Sequence, residues 1–523
     1  MVIVIIRHTE SPSLDLYSIA VDRIEPYANM LAQLPQELLE LICQQCTQES
    51  LRKLRLVDKR TNTASTPLVF ERMYVSTFTN SISKLGHLSR SLLSKHVKAI
   101  DFIPDRLPAW NKRDWTKAVD FRPPFSAWCE EIANSKPGVR QLFPDRTEAR
   151  KEYDRLPRHD FTQDQMKAGW LAFEANRDAQ HRWFAGGQGL ELKEYVSSLP
   201  NLREAVIRKV APFNGRVNDK PFWKHLRRQI LVGPDAWLYG TNLQGEDTFE
   251  GILAVIFLEA IGYRNTFAGM RPVEVLSLDL VTRWSLASLR LLVTNEFGSG
   301  EPMVPSVNPL DRLGIAVDAF RTLKHFSLSC PHVPDHINIA LDGPAQETQA
   351  LLLAATELRT LTLEYGEPAV DRIDENDGQY MFQSSLASFL SKPSIIYPHL
   401  KELKITASIP AEAFANFLGY HSRTLRVLEL RDSVCDDWEA VLMTISKVLN
   451  LQRVYLECLH EIVDEQQEEG EGGGEEAVVR TVSYFWEGTD EENNFNSAMK
   501  AYLLEGKGTI PDEFYKQSCV DVD

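Results

Sequence analysis

The sequence predicts an α/β chain: a small helical unit near the N-terminus, then strand and helix alternating in a stacked, curved array interrupted by a helical insertion. Three observations carry this. The pattern L-x-x-L-x-L recurs at nine places, starting at residues 97, 202, 273, 323, 358, 400, 425, 451 and 479, and its spaced residues point alternately into and out of a strand. Between occurrences lie helical patterns such as "AEAFANFLG" and "DWEAVLMTISKVL", the second with Trp438, Val441, Leu442 and Ile445 at helical steps. With 523 residues, 43% of them hydrophobic and 25% charged, the chain is long enough to bury a sizeable core.

Residues 1–30 read as an N-terminal arm. "MVIVII" is too short for a secretory segment and only Arg7 follows it, so nothing there marks export. The first helix opens at Pro35, where a missing N–H loses no bond and Glu37 meets the helix dipole, and is expected to run to about Cys46. It carries two apolar stripes where one would serve its own core: Leu34, Leu38, Leu41 and Ile42 on one side, Leu39, Cys43 and Cys46 on the other. The second stripe leaves a face for a partner. Thr47 is set to cap a second helix, "LRKLRLVDKR", with Leu51, Leu54 and Val57 spaced by three; a third helix ends near residues 67–70 and "RMYVS" follows as a strand. A unit this small needs a neighbour to bury its apolar surface.

"LPQELLELICQQCTQESLRKLRLVDKRTNTASTPLVFERMYVS" resembles the F-box in the form common at the N-terminus of fungal F-box proteins. The shared pattern is Leu-Pro, Glu-Leu-Leu, Ile, Leu-x-x-Leu, Val-x-Lys-Arg and Pro-Leu-x-Phe, over residues 31–76. Asp58 stands where that family usually has Cys and Thr61 where an aromatic is common, which predicts weaker packing of the third helix.

From 77 to 460 the array is expected, with the insertion at about 103–196. The last four pattern starts lie 25, 26 and 28 residues apart, within the period of leucine-rich repeats of about 20 to 29 residues. Earlier gaps are 105, 71, 50, 35 and 42 residues. The array resembles degenerate leucine-rich repeats, an irregular solenoid in which no unit carries the Asn that usually follows the third apolar position. The insertion holds five of the ten tryptophans, at 110, 115, 128, 170 and 183, and reads as helices around a small core of their own. "GILAVIFLEAIG" reads as a buried helix, since no apolar run reaches the length of a membrane span. The acidic run "DEQQEEGEGGGEE" cannot fold alone and makes 461–478 a disordered loop, before a last repeat and C-terminal segment at 479–523.

The net charge of −16 argues against nucleic acid as a ligand, although from residue 461 onward 17 acidic residues face 4 basic ones, which leaves only −3 for the rest. Seven scattered cysteines read as reduced thiols in a cytoplasmic or nuclear protein. No catalytic constellation is found, and no enzyme, cofactor or metal is expected. "IVIIRHTES" resembles the Arg-His motif of histidine phosphatases but has Thr9 for the usual glycine; the CxxC of Cys43 and Cys46 lies in a helix without a second pair; "CPHVPDH" has ligand-type residues in Cys330, His332 and His336 but sits just past a strand; "HEIVD" lacks the second histidine of a zinc protease; "GKGT" lacks the upstream glycine of a phosphate loop.

The F-box resemblance implies docking on the Skp-type adaptor of a cullin ubiquitin ligase, with Leu34, Pro35, Leu38, Leu39, Ile42, Leu51, Leu54 and Val57 as the docking residues. It implies that the repeats hold a protein substrate. The outward repeat positions are His325, Ser327, Thr360, Thr362, Glu402, Lys404, Glu429, Arg431, Arg453, Tyr455 and Glu457; mixing both signs with polar groups suits a protein surface rather than a polyanion, a small molecule or a membrane. The alternative is a scaffold that uses the same repeats without a ligase.

Overall fold

The computed structural model describes residues 33–77, 79–103, 107, 110–119, 150, 161–185, 189–208, 229–232, 247–267, 269–279, 296–297, 301–302, 309–330, 345–365, 396–465, 478–484 and 501–506. The N-terminal arm with "IVIIRHTES", Trp128, the residues of "CPHVPDH" after Cys330 and the acidic run after Glu465 lie outside them.

Three short helices come first: α1 (Gln36–Gln44), α2 (Gln48–Leu54) and α3 (Lys59–Phe70). Pro35 sits at the N-cap of α1, one position before the helix rather than at its first residue, and Gln45 ends it. Thr47 caps α2 as expected, its side chain accepting from the Ser50 N–H. The expected run "LRKLRLVDKR" is split, however, because Asp58 starts α3. Its carboxylate accepts from the N–H groups of Arg60 and Thr61, while the Thr61 hydroxyl accepts from the Asp58 N–H at 3.1 Å. The two departures from the F-box pattern are thus a matched capping box, which satisfies orphan donors at the helix start. We expect Asp58→Ala to lower stability by about 1 kcal/mol in denaturant unfolding; an unchanged midpoint would mean that the box is not needed.

The rest is a mixed α/β structure around one largely parallel sheet. Its main strands are β1 (Arg72–Ser76), β2 (Ala99–Ile103), β3 (Glu204–Arg208), β4 (Val275–Asp279), β5 (His325–Cys330), β6 (Thr360–Tyr365), β7 (Glu402–Thr406), β8 (Val427–Cys435), β9 (Arg453–Glu465) and β10 (Val478–Tyr484), and a two-residue strand, Ser408–Ile409, also pairs parallel with β8. All nine pattern positions are strands. Order in the sheet follows order in the chain, and each pair is parallel from β1 to β9. Two expectations change at the end. β10 pairs antiparallel to β9 and so folds back, where a further repeat would add a parallel strand. Residues 461–465, expected in the loop, are the last part of β9, because β10 gives them a partner.

Helices return the chain from strand to strand: α4 (Thr79–Ser89), then α5 (Lys112–Val119), α6 (Gln163–Ala185) and α7 (Gly189–Ser197) of the insertion, then α8 (Asp247–Asn265), α9 (Pro309–Phe320), α10 (Ala345–Ala354), α11 (Ala411–Tyr420) and α12 (Trp438–Val448). The alternate strand residues Phe102, Ile207, Leu278, Leu328, Leu363, Ile405, Leu430 and Leu456 form one buried row across the sheet, beneath helix residues such as Phe257, Phe414 and Trp438. The insertion does have a core of its own. Trp110 and Trp115 pack there with Phe173 and Trp170, but also with Ile230 and Val232 from beyond its expected end, while Trp183 joins the main core.

Unrelated side chains bridge the turns between units. Arg264, buried near the end of α8, donates to the carbonyls of Leu199 at 3.0 Å and Pro200 at 3.1 Å, and burial lowers its pKa to about 10. The Tyr397 hydroxyl donates to the Leu352 carbonyl at 3.1 Å, and the Tyr397 N–H donates to Nε2 of His421 at 2.9 Å. Since Nε2 accepts, the ring is neutral and its Nδ1–H donates to the Phe417 carbonyl at 2.7 Å. Burial pushes the His421 pKa down. The folded chain therefore resists a proton that the unfolded chain takes up below about pH 6.5, so the contribution of this site is full above that pH and falls as pH drops through it. We expect the urea midpoint of the wild type to fall further between about pH 7.5 and about pH 5.5 than that of His421→Gln. Equal falls would remove His421 from the acid sensitivity.

Candidate functional site

Helix α1 divides its two stripes between inside and outside. Leu39 is 1% exposed and Cys43 0%; with Leu51, at 3%, and Ala64 they form the core of the three-helix unit. Cys46 and Leu54 pack against that core, half-buried. Burial raises the pKa of both cysteine thiols, as suits packing groups rather than nucleophiles or ligands. Of the eight residues expected to dock a partner, Leu39 and Leu51 thus face inward instead: α3 crosses beneath α1 and α2, and these side chains fill the gap. The other stripe is open, with Leu38 47% exposed, Leu41 55% and Ile42 39%, joined after α2 by Leu56 at 87% and Val57 at 43%.

Pro35 is exposed and Leu34 half-buried at the entrance to α1. The Arg60 guanidinium donates to the Leu34 carbonyl, which brings that entrance beside the start of α3 and so close to Val57. Leu41 belongs to the stripe in sequence. Leu56 does not, because it follows the end of α2, where helical spacing carries no information.

The second surface is the outward face of the sheet, on which the predicted residues share register rows. Thr362 is opposite Lys404, Lys404 opposite Glu429, and Glu429 opposite Tyr455; Thr360 is opposite Glu402, and Val427 lies between Glu402 and Arg453. Lys404 bridges Glu429 at 3.1 Å and Glu402 at 3.5 Å. The Glu429 bond holds the Lys404 ammonium above the usual lysine range. Arg431 meets Glu429 at 2.6 Å and lies over the Tyr455 ring at 4.6 Å. At β5, His325 Nδ1 is 3.0 Å from the Thr360 hydroxyl, with Ser327 and Thr362 opposite each other in the next outward row. The side chain of Glu457 lies outside the described residues. At the other end Arg72 of β1 pairs with both Asp101 of β2 and Glu204 of β3, tying the strand after the helical unit to the next two. Glu402, Lys404, Glu429 and Arg431 are therefore engaged with each other, while Arg453 in the neighbouring row is exposed.

No protein-family model matches the chain, and no curated protein matches it. Among the described residues no helix is long and apolar enough to cross a membrane, and no group of three His, Cys, Asp or Glu is placed to hold a metal. A half-open cleft of about 280 Å³ between α4 and α7 is lined by His87, Arg90, Trp183 and Tyr195. Its cation is occupied: Arg90 pairs with Glu194 at 3.1 Å and lies over the Tyr195 ring.

Proposed function

We propose that this chain is the substrate-recognition subunit of a Skp-cullin-F-box ubiquitin ligase. In this reading the helices α1–α3 are an F-box that docks on the Skp-type adaptor. The strand and helix units are a degenerate leucine-rich-repeat solenoid whose sheet face holds a protein substrate. The single observation that supports it most is the open stripe of Leu38, Leu41 and Ile42 on a unit whose own core is already filled. Water-exposed leucines at this density on one short helix are expected where a partner covers them. Each contributes roughly 1.5 to 3 kcal/mol when fully buried.

The sheet face suits a folded protein surface. Arg431 is taken by Glu429 and Tyr455, leaving the mixed-sign row to select a complementary row on the substrate. The test is co-purification of the full chain with a Skp-type adaptor. A stable complex is expected. A folded chain that captures no adaptor would leave the repeats as a scaffold outside any ligase.

A further inference from the structure

One edge of the sheet, where each helix turns into its strand, carries a repeated position. The residue just before a strand accepts, through its carbonyl, the N–H of its counterpart in the next unit. Lys98 accepts from Arg203, Lys324 from Arg359, Arg359 from Lys401 and Lys401 from Arg426, and Glu274 links Arg203 to Lys324 in the same way. From β2 to β8 six of these seven positions are Lys or Arg, in a chain whose net charge is −16. Neighbouring cations stand about 4.8 Å apart along the backbone, and like charges at that separation repel.

Contacts within the fold account for only part of the row. Lys98 pairs with Glu71 at 3.0 Å, Glu274 pairs with Lys324 at 2.9 Å, and Arg426 donates to the turn carbonyls of Leu425 and Arg423. Arg359 and Lys401, between them, are exposed and have no carboxylate partner among the described residues. Exposed apolar groups occur in the last turns of the helices that lead into Arg359 and Arg426, Leu353 at 40% and Tyr420 at 49%, and Ile396, at 51%, lies in the segment before Lys401.

We propose that this edge binds a short acidic segment of a partner protein, in which Asp or Glu alternates with aliphatic or aromatic residues. The cations match the acidic groups and the apolar groups match what lies between them. A nucleic acid backbone would leave the apolar groups uncovered. Six strand steps span about 29 Å, the reach of about nine extended residues. The inference is independent of the ligase reading.

The test is fluorescence anisotropy on the full chain with three labelled probes: a peptide of about ten residues alternating Glu with Leu or Tyr, its Gln counterpart, and a single-stranded oligonucleotide of equal length. Binding of the acidic peptide is expected, with little binding of the Gln peptide. Affinity should fall about tenfold in the double variant Arg359→Gln, Lys401→Gln. Release is expected as salt rises from about 50 mM to about 300 mM. Both positions are exposed, and a thermal melt confirms that the variant is folded. No binding of the acidic peptide, equal binding by wild type and variant, indifference to salt, or tighter binding of the oligonucleotide would each overturn the proposal.

Discussion

Replacing Leu38 and Ile42 together with alanine should weaken adaptor binding on the order of a thousandfold and leave the melting temperature unchanged. Both side chains are well exposed, so shortening them opens no cavity in the unit. Their effect falls only where a partner covers them, at about 2 kcal/mol each and tenfold per 1.4 kcal/mol. The contrast lies one residue along. Leu39→Ala removes a buried group from a small core and should cost about 2 to 5 kcal/mol of stability. Titration calorimetry and thermal melts of the two variants separate docking from folding. Unchanged affinity in the Leu38, Ile42 variant would place the docking face elsewhere.

Gly262→Ala should destabilise the array by about 3 kcal/mol or more. Gly262 lies in α8 where α9 crosses it: a Cβ there would stand 1.7 Å from the carbonyl oxygen of Ile315 and 2.7 Å from its carbon. The obstacle is backbone, so no rotamer relieves it and the two helices must separate. Gly314, in α9 itself, is the control, since a Cβ there meets nothing within 4 Å. Gly314→Ala should stabilise by up to about 1 kcal/mol through helix propensity alone. Opposite signs in denaturant unfolding are expected, and a Gly262→Ala protein as stable as the wild type would sink the close-approach account.

Alternation of apolar and polar residues is local, and so all nine strand positions and the inward faces of α11 and α12 were legible in the sequence. What was not legible depends on distant partners. Both stripes of α1 are visible, but only Ala64 and Leu51, lying across from Leu39 and Cys43, decide which stripe turns inward. The direction of β10 is set by its pairing with β9, and its pattern reads the same either way. Asp58 and Thr61 looked like losses when compared singly; their value lies in each satisfying the other. The bridge from Tyr397 to His421 joins turns 24 residues apart and has no pattern at all.

Because strand order matches chain order, almost every tertiary contact in the sheet joins units that are also next to each other in sequence. Such an array melts as a row of coupled segments, with the stability of each set by itself and its two neighbours. The end that carries α1–α3 and the end that carries Lys404, Glu429 and Tyr455 are separated by the whole row. The far end can therefore open while the near end stays folded, and unfolding followed at Trp438 in α12 would have a different midpoint from unfolding followed at Trp115 in α5. The two ends of such a row are thus free to differ in stability, because no contact ties one directly to the other.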